Sequence, residues 1–431
     1  MQDYVQEEPV IIESGQGCTL KDIWGKEYLD GVSSLWTNVH GHRRPEIDRA
    51  IREQLDQVAH STLLGLSNVP AIGCAKMLVE IAPPGLSRVF YSDSGSTAVE
   101  VALKMAFQYQ RQAPGGDPGR TKFISLTNAY HGDTIGAVSL GGIDLFHATY
   151  RALLFTSLKA PAPYCYRCPL GKTCPECGLA CLAELAQLME TRGSEVAALV
   201  IEPLVQGAAG MIMQPPGYLQ GVRDLCTQHN IIMIADEVAV GFGRTGRMFA
   251  CEHEEVHPDI MAVAKGITGG YLPLAATLAT ERIYRGFLGK YEEFKTLFHG
   301  HTYTGNPLAC AAAIANLEIF AAEGTLDKMA AKVEGLQDNL RKIGSLKHVG
   351  EIRQRGFMVG IELVAYRETK AEFPPELKIG HRVILAARKR GLLIRPLGNI
   401  IVLMPPLSMT PAEIDRLCAI TRDAIREVTE E

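Results

Sequence analysis

Two short apolar runs, each stopping on a charged residue, constrain this chain most. Ile231-Ile-Met-Ile-Ala235 is too short for a helix and is bounded by polar residues. That is how a strand buried on both faces of a parallel sheet reads. It ends in two acids, Asp236 and Glu237. Further on, Ile260-Met-Ala-Val-Ala264 ends as abruptly in Lys265, followed by Gly266. In open α/β sheets, ligands bind beyond the carboxyl ends of the strands. Asp236 and Lys265 are therefore expected to face one site from neighbouring strand ends.

A carboxylate and a lysine aimed at one ligand point to pyridoxal phosphate. The lysine would hold the cofactor as a Schiff base. The acid would keep the pyridine nitrogen protonated, so that the ring acts as an electron sink. Taken singly, Lys265 reads as a solvated loop lysine and Asp236 as a helix cap. An upstream anion site tips the balance. The strand Val89-Phe-Tyr91 is followed by Ser92-Asp-Ser-Gly-Ser-Thr97, which opens a helix with Val99, Ala102, Leu103 and Ala106 on one face. A small-residue loop there offers free backbone N–H groups at the positive end of the helix dipole. Gly95 permits close approach, Ser96 adds a hydroxyl, and Thr97 with Glu100 forms the expected capping box. Plain helix capping is the bland alternative.

Gly241-Phe-Gly-Arg-Thr-Gly246 matches the dinucleotide pattern G-x-G-x-x-G. Asp236 and Glu237 stand where a pyrophosphate would approach, and no helix clearly follows, so the stretch reads as a glycine-hinged loop. A nicotinamide oxidoreductase remains a rival class. So does a metal-dependent binding module built on the cysteines of Pro161 to Cys181. Cys165-x-x-Cys168 and Cys174-x-x-Cys177, with Cys181 beyond, have zinc-ligand chemistry. The two pairs are spaced more tightly than usual for zinc. The expectation is no metal, with reduced cysteines packing as small apolar residues.

A chain of 431 residues can bury two domains. The net charge of −5 leaves no basic footprint for nucleic acid and no polybasic membrane patch. No apolar run approaches the roughly 20 residues that span a bilayer. Residues 1 to 12 are acidic, unlike a signal or transit peptide. Eleven cysteines in a chain this long argue for reduced thiols and a cytoplasmic location.

Other segments follow the same logic. Val10-Ile-Ile12 and Thr19 to Asp22 flank Gly15 and Gly17 as a hairpin. Asp30 to His42, with Trp36, is a packed linker or a pocket wall. Pro45 to His60 has the spacing of an amphipathic helix. Tyr130 or His131, just past the strand Lys122 to Leu126, could stack on a flat ring. Ala197 to Ile201 is a buried strand ending at Glu202. His299-Gly-His-Thr-Tyr-Thr-Gly-Asn-Pro307 opens an alanine-rich helix and offers a second phosphate contact. From about Leu326 a smaller α+β unit begins, including a strand from Leu392 that ends at Arg395.

Asp93-Ser-Gly-Ser96, Tyr130-His-Gly132, Ile201-Glu-Pro203, Ile234-Ala-Asp-Glu237, Gly241 to Gly246, Lys265 and Gly305-Asn-Pro307 together resemble the class III pyridoxal-phosphate aminotransferases, in order and over essentially the whole chain. Asp30 to Trp36 with Val39-His-Gly41, Phe249-Ala-Cys-Glu-His253, and Arg395-Pro-Leu-Gly398 with Met404-Pro-Pro406 resemble the members that aminate 8-amino-7-oxononanoate in biotin biosynthesis. The alternative is an ornithine-, acetylornithine- or 4-aminobutyrate-type ω-aminotransferase.

The resemblance implies fold type I, an α/β fold. Its large domain, 34–320, would carry a mostly parallel seven-stranded sheet, and its small α+β domain would combine 1–33 with 321–431. It implies a homodimer with active sites at the interface. Lys265 would be the Schiff-base lysine, Asp236 the partner of the ring nitrogen, and Tyr130 and His131 neighbours of the ring. Gly95 and Ser96 would hold the phosphate, with His301 and Thr302 added by the neighbouring subunit. Leu35, Trp36, Tyr130, Lys265 and Gly300 would line the substrate site. Arg395 would bind the substrate carboxylate, with Arg244 the next candidate.

Members of the class usually begin upstream of this Met1 with a segment bearing a site aromatic. No counterpart precedes Met1 here, so the start is expected to be misassigned or truncated, or another residue does the job. Members that use S-adenosylmethionine carry two adjacent tryptophans where this chain has Leu35-Trp36. A lysine-using subgroup resembling the Bacillus enzymes is matched through His60 to Gly65 and Leu397-Gly398, which leans the donor towards lysine.

Overall fold

The computed structural model describes residues 9–430. Residues 1–8, which hold most of the acidic amino-terminal stretch, lie outside them. A seven-stranded sheet runs in the order Leu86–Ser92, Ala275–Thr280, Ile260–Val263, Ile232–Asp236, Val196–Ile201, Lys122–Leu126, Leu158–Ala160. Only Ala275–Thr280 runs against its neighbours; the other pairings are parallel. Ile232–Asp236 is central and buried at every position, as are Val196–Ile201 and Ile260–Val263.

The unbroken apolar runs follow from that placement. Successive side chains point to opposite faces. Ile232 and Ile234 enter the core shared with Ala98, Val99 and Ala102 of the helix Gly95–Gln112, while Met233 and Ala235 enter the core on the other face. Both faces are covered, so no polar alternation is possible. Each large apolar side chain buried here contributes about 1.5–3 kcal/mol.

Two smaller sheets complete the fold. Glu27–Asp30 pairs antiparallel with Thr19–Asp22 and parallel with Leu392–Leu393, so the two ends of the chain share one sheet. Val349–Arg355, Met358–Leu363, Ile400–Leu403 and Arg395–Leu397 form an antiparallel sheet. Among the described residues, no helix is long and apolar enough to cross a membrane.

Three local expectations are corrected. The capping box is Ser94 with Thr97, not Thr97 with Glu100. Ser94 is extended (φ −148°), its Oγ accepts from Thr97 N at 3.3 Å, and Thr97 Oγ1 accepts from Ser94 N at 3.0 Å. The helix therefore starts at Gly95. The helix from Pro45 stops at Leu55 rather than His60, because Leu55 and Val58 are exposed and Gln54 Nε2 donates to Val58 O instead. The strand expected from Leu392 to Arg395 is two strands in different sheets, Leu392–Leu393 and Arg395–Leu397.

Candidate active site

A cavity of about 400 Å³ opens beyond the carboxyl end of the sheet. Asp236 is the last residue of its strand and lies opposite Ala262, three residues before Lys265. The two charged strand ends thus meet at one edge. Trp36, Gly95, Ser96, Tyr130, His131, Asp236 and Lys265 all line the cavity. Sequence reasoning placed each of these seven in the site.

Lys265 follows its strand with φ +48°. Its Nζ sits 4.9 Å from the centroid of the Trp36 ring. Desolvation pulls the ammonium below its ordinary pKa, and the carboxylates of Asp236 and Glu202 oppose that pull. The effect is to enlarge the share of neutral amine, the form that attacks a carbonyl. Asp236 is buried. Its Oδ2 lies 2.7 Å from His131 Nδ1, and its Oδ1 accepts from Val238 N at 3.1 Å.

Tyr130 is fixed at both ends. Its N–H donates to Glu202 Oε1 at 3.0 Å, and its hydroxyl donates to Asp133 Oδ2 at 2.7 Å. Burial and the Asp133 carboxylate keep the phenol protonated. Glu202 Oε2 accepts from Gly207 N at 2.9 Å.

The anion corner is built by close approach. Ser94 uses the Thr97 N–H, which leaves Gly95 and Ser96 as the first helical residues at the cavity. A Cβ on Gly95 would stand 2.5 Å from Val238 Cγ1. Gly132 has φ +123°, and a Cβ there would stand 2.1 Å from Ser96 Oγ. Only glycine fits either place.

These residues fit pyridoxal phosphate. The helix start suits a phosphate, Asp236 suits a ring nitrogen, and Lys265 suits an aldehyde. Two buried polar atoms of the wall, Trp36 Nε1 and His131 Nε2, have no hydrogen-bond partner in the protein. Such atoms call for an added ligand or solvent partner.

The Trp36 wall is held under strain. Ser33, Ser34 and Trp36 all have positive φ, between 52° and 66°. Each such residue costs roughly 1–3 kcal/mol and persists only where its surroundings fix it. Asp30 accepts from Ser34 N at 2.9 Å and from Ser34 Oγ at 3.1 Å. Arg244, nearly fully buried, donates to Ser33 Oγ (3.1 Å), Asn38 O (2.7 Å) and Pro405 O (2.8 Å). Its guanidinium is thus engaged by the segment carrying Trp36. Glu237 also turns away from the cavity, accepting from Ala250 N and Cys251 N at 3.0 and 2.8 Å.

Five expected residues do not line the cavity of the single chain: Leu35, Gly300, His301, Thr302 and Arg395. Leu35 is 46 % exposed. His301 Nδ1 lies 3.4 Å from Asp93, a residue of the cavity rim. Arg395 is exposed on its strand. Sequence reasoning passed over Glu202 and Gly132. Glu202 had a signal, since it ends a buried strand next to the one that Asp236 ends. Gly132 had none, because its need appears only when Ser96 comes beside it.

Glu202 carries a prediction. Burial raises its carboxyl from the usual 4.5 to about 7. The folded state then holds a proton that the unfolded chain has lost. That gain is complete below about 4.5 and is lost as pH rises through about 7. Glu202→Gln has no proton to lose, but its single amide oxygen cannot serve both N–H groups. We expect it to unfold at lower urea than the wild type at pH 5, by roughly 1–3 kcal/mol. The gap should shrink by pH 8. A gap equal at both pH values would contradict the assignment.

The Aminotransferase class-III family model matches residues 2–425. A relative from Nitratidesulfovibrio vulgaris, named adenosylmethionine-8-amino-7-oxononanoate aminotransferase, is 61% identical over 430 residues, covering 100% of this chain and 79% of the relative. A crystal structure of the protein with that name from Methanocaldococcus jannaschii superposes with a TM-score of 0.94 at 49% identity, covering 99% of this chain and 95% of the other. An amine transaminase from an uncultivated Pseudomonas species, described as PLP-bound, superposes with a TM-score of 0.91 at 37% identity, covering 99% and 96%. The seven-stranded sheet, the lysine and carboxylate at its carboxyl edge and these matches together establish that the chain belongs to the class III aminotransferases, pyridoxal-phosphate-dependent transaminases.

Proposed function

We propose that this enzyme transfers an amino group to 8-amino-7-oxononanoate, giving 7,8-diaminononanoate, a step of biotin biosynthesis. The observation that carries the reading is the full-length identity to relatives of that name, at 61% for one of them. The donor in that printed name is adenosylmethionine, and we assign S-adenosylmethionine to this chain as well. The lean towards lysine rested on Leu35 and on the matches at His60 to Gly65 and Leu397-Gly398; against it, relatives 50–61% identical carry adenosylmethionine in their names.

Bound pyridoxal phosphate supplies an electron sink conjugated to the carbon that loses its proton. The protein's residues do the rest. Lys265 would hold the cofactor through its amine, and the same Nζ would take up and return the proton that the chemistry moves. Asp236 would hold a proton at the ring nitrogen, and His131, 2.7 Å from its Oδ2, orients that carboxylate. Tyr130 flanks the ring. The N–H groups of Gly95 and Ser96 and the Ser96 hydroxyl would take the phosphate charge. Trp36 gives the substrate channel an apolar, π-rich wall suited to a sulfonium.

We place the remaining expected residues at a homodimer interface. His301 and Thr302 would reach the phosphate of the neighbouring subunit, with Gly300 and Leu35 at the channel mouth. Exposed Phe298, Tyr303, Leu64 and Val69 support an apolar interface there. Arg395 would bind the keto-acid carboxylate. The division into 34–320 and the paired ends 1–33 and 321–431, and a cytoplasmic location, belong to the same proposal.

The test supplies 8-amino-7-oxononanoate with S-adenosylmethionine and then with lysine, and measures diaminononanoate. We expect product with S-adenosylmethionine. Arg395→Ala should raise KM for the keto acid about tenfold, as loss of a charge-assisted contact does. Turnover of ornithine or 4-aminobutyrate in place of 8-amino-7-oxononanoate would move the enzyme to the ω-aminotransferase alternative.

A further inference from the structure

Residues 161–179 form a loop with no helix or strand, between the edge strand Leu158–Ala160 and the helix Ala180–Arg192. Loops of that length in a folded domain are uncommon and usually functional. No side chain from Tyr164 to Leu179 is fully buried, and within that stretch Leu170 is the apolar side chain that packs against the main core. One end is anchored by charge. Glu362 of the small antiparallel sheet receives Arg167 Nε at 2.5 Å and the Tyr164 hydroxyl, and Lys370 Nζ reaches Tyr166 O at 2.7 Å. Glu362 also receives Arg353 at 2.5 Å. Arg353 Nη2 in turn donates to Gly210 O at 2.8 Å, in the segment that leads away from Glu202.

The same loop and the helix start after it also gather five thiols. Cys165, Cys168, Cys174, Cys177 and Cys181 all border a single void of about 20 Å³, together with residues that include Tyr164, Lys172 and Leu179. A void that small holds one ion or one water, not an organic ligand. The Cys165 thiol is within hydrogen-bonding reach of Cys174, and Cys177 and Cys181 are close enough to act on it electrostatically. Cys181 lies in the first turn of the helix Ala180–Arg192; burial raises its thiol pKa, and the backbone N–H groups there pull the other way. The six other cysteines are all buried and stand elsewhere.

We propose that four of these five thiols bind one zinc ion, which staples the loop to the large sheet while Glu362 holds it to the small one. Two C-x2-C pairs and a fifth thiol at one void, with no carboxylate in its wall, select a soft, tetrahedral cation over calcium or magnesium. The thiols stand wider apart than ligands around one ion: among the described residues, no three such side chains form a ready metal set. Binding therefore requires the irregular loop to close inward and release thiol protons. The expectation of no metal rested on tight spacing between the pairs; in the fold both pairs border one void.

The experiment uses the holoenzyme, reduced, stripped with a chelator, freed of any affinity tag and incubated with zinc. Elemental analysis after gel filtration should give about one zinc per chain, and X-ray absorption should show sulfur ligands at about 2.3 Å. Cys165→Ser with Cys181→Ser should lose the zinc, while Cys226→Ser, a buried cysteine remote from the loop, should keep it. The spectroscopic measurement needs no variant, so misfolding of the double variant would not blunt the test. A zinc content near zero, nitrogen or oxygen ligation, or a Cys165–Cys174 disulfide in place of the metal would overturn the proposal.

Discussion

Lys265→Ala is expected to bind pyridoxal phosphate, lose its visible lysine-bound absorption band and turn over at least about 10³-fold more slowly. The size follows from two roles resting on one amine. Nζ has no hydrogen-bond partner among the described residues, so nothing else is poised to replace it as anchor. It is also the lysine that lines the cavity, and proton transfer by a placed group contributes about 10²–10⁴-fold by itself. Cofactor binding survives because the phosphate corner at Gly95 and Ser96 and the carboxylate of Asp236 are untouched. Absorbance spectra and single-turnover product formation check both halves. Substantial turnover by the variant would remove Lys265 from the chemistry.

Asp236→Asn is expected to keep the fold and lower turnover about 10²–10³-fold, the effect of removing one preorganised charge from a dry site. The carboxylate now uses both oxygens, one for His131 and one for the Val238 N–H. An asparagine oxygen can still accept from Val238 N, but its NH2 can only donate, so His131 Nδ1 would have to become the acceptor. More important, a neutral amide cannot hold a proton on the cofactor ring. Bound cofactor should remain near stoichiometric while kcat falls, and a variant with unchanged kcat would put the ring-nitrogen contact elsewhere.

How much of this was legible in the sequence depended on the range of the signal. Asp236 and Lys265 were visible because a doubly covered strand is an unbroken apolar run, and its end is marked by the first charge. Ser96 was visible because a small-residue loop before a helix is a local pattern. The true capping pair, Ser94 with Thr97, was missed by one turn: Thr97 with Glu100 fits the same spacing, and only the extended backbone at Ser94 separates the two. Gly132 answers to Ser96 across the fold, a contact no local pattern encodes. Arg244 looked available in sequence because its acceptors, Asn38 O and Pro405 O, come from distant segments. Single-chain geometry also leaves Arg395 outside the cavity, with His301 meeting only Asp93 at the rim.

The central claim is that one lysine, at the end of one buried strand, carries the cofactor. Borohydride reduction of the holoenzyme followed by peptide mass spectrometry tests it directly, because reduction fixes the cofactor on the lysine that bears it. A single modified peptide is predicted, with the adduct on Lys265. Modification of any other lysine, or of none in protein that still binds the cofactor, would contradict the account.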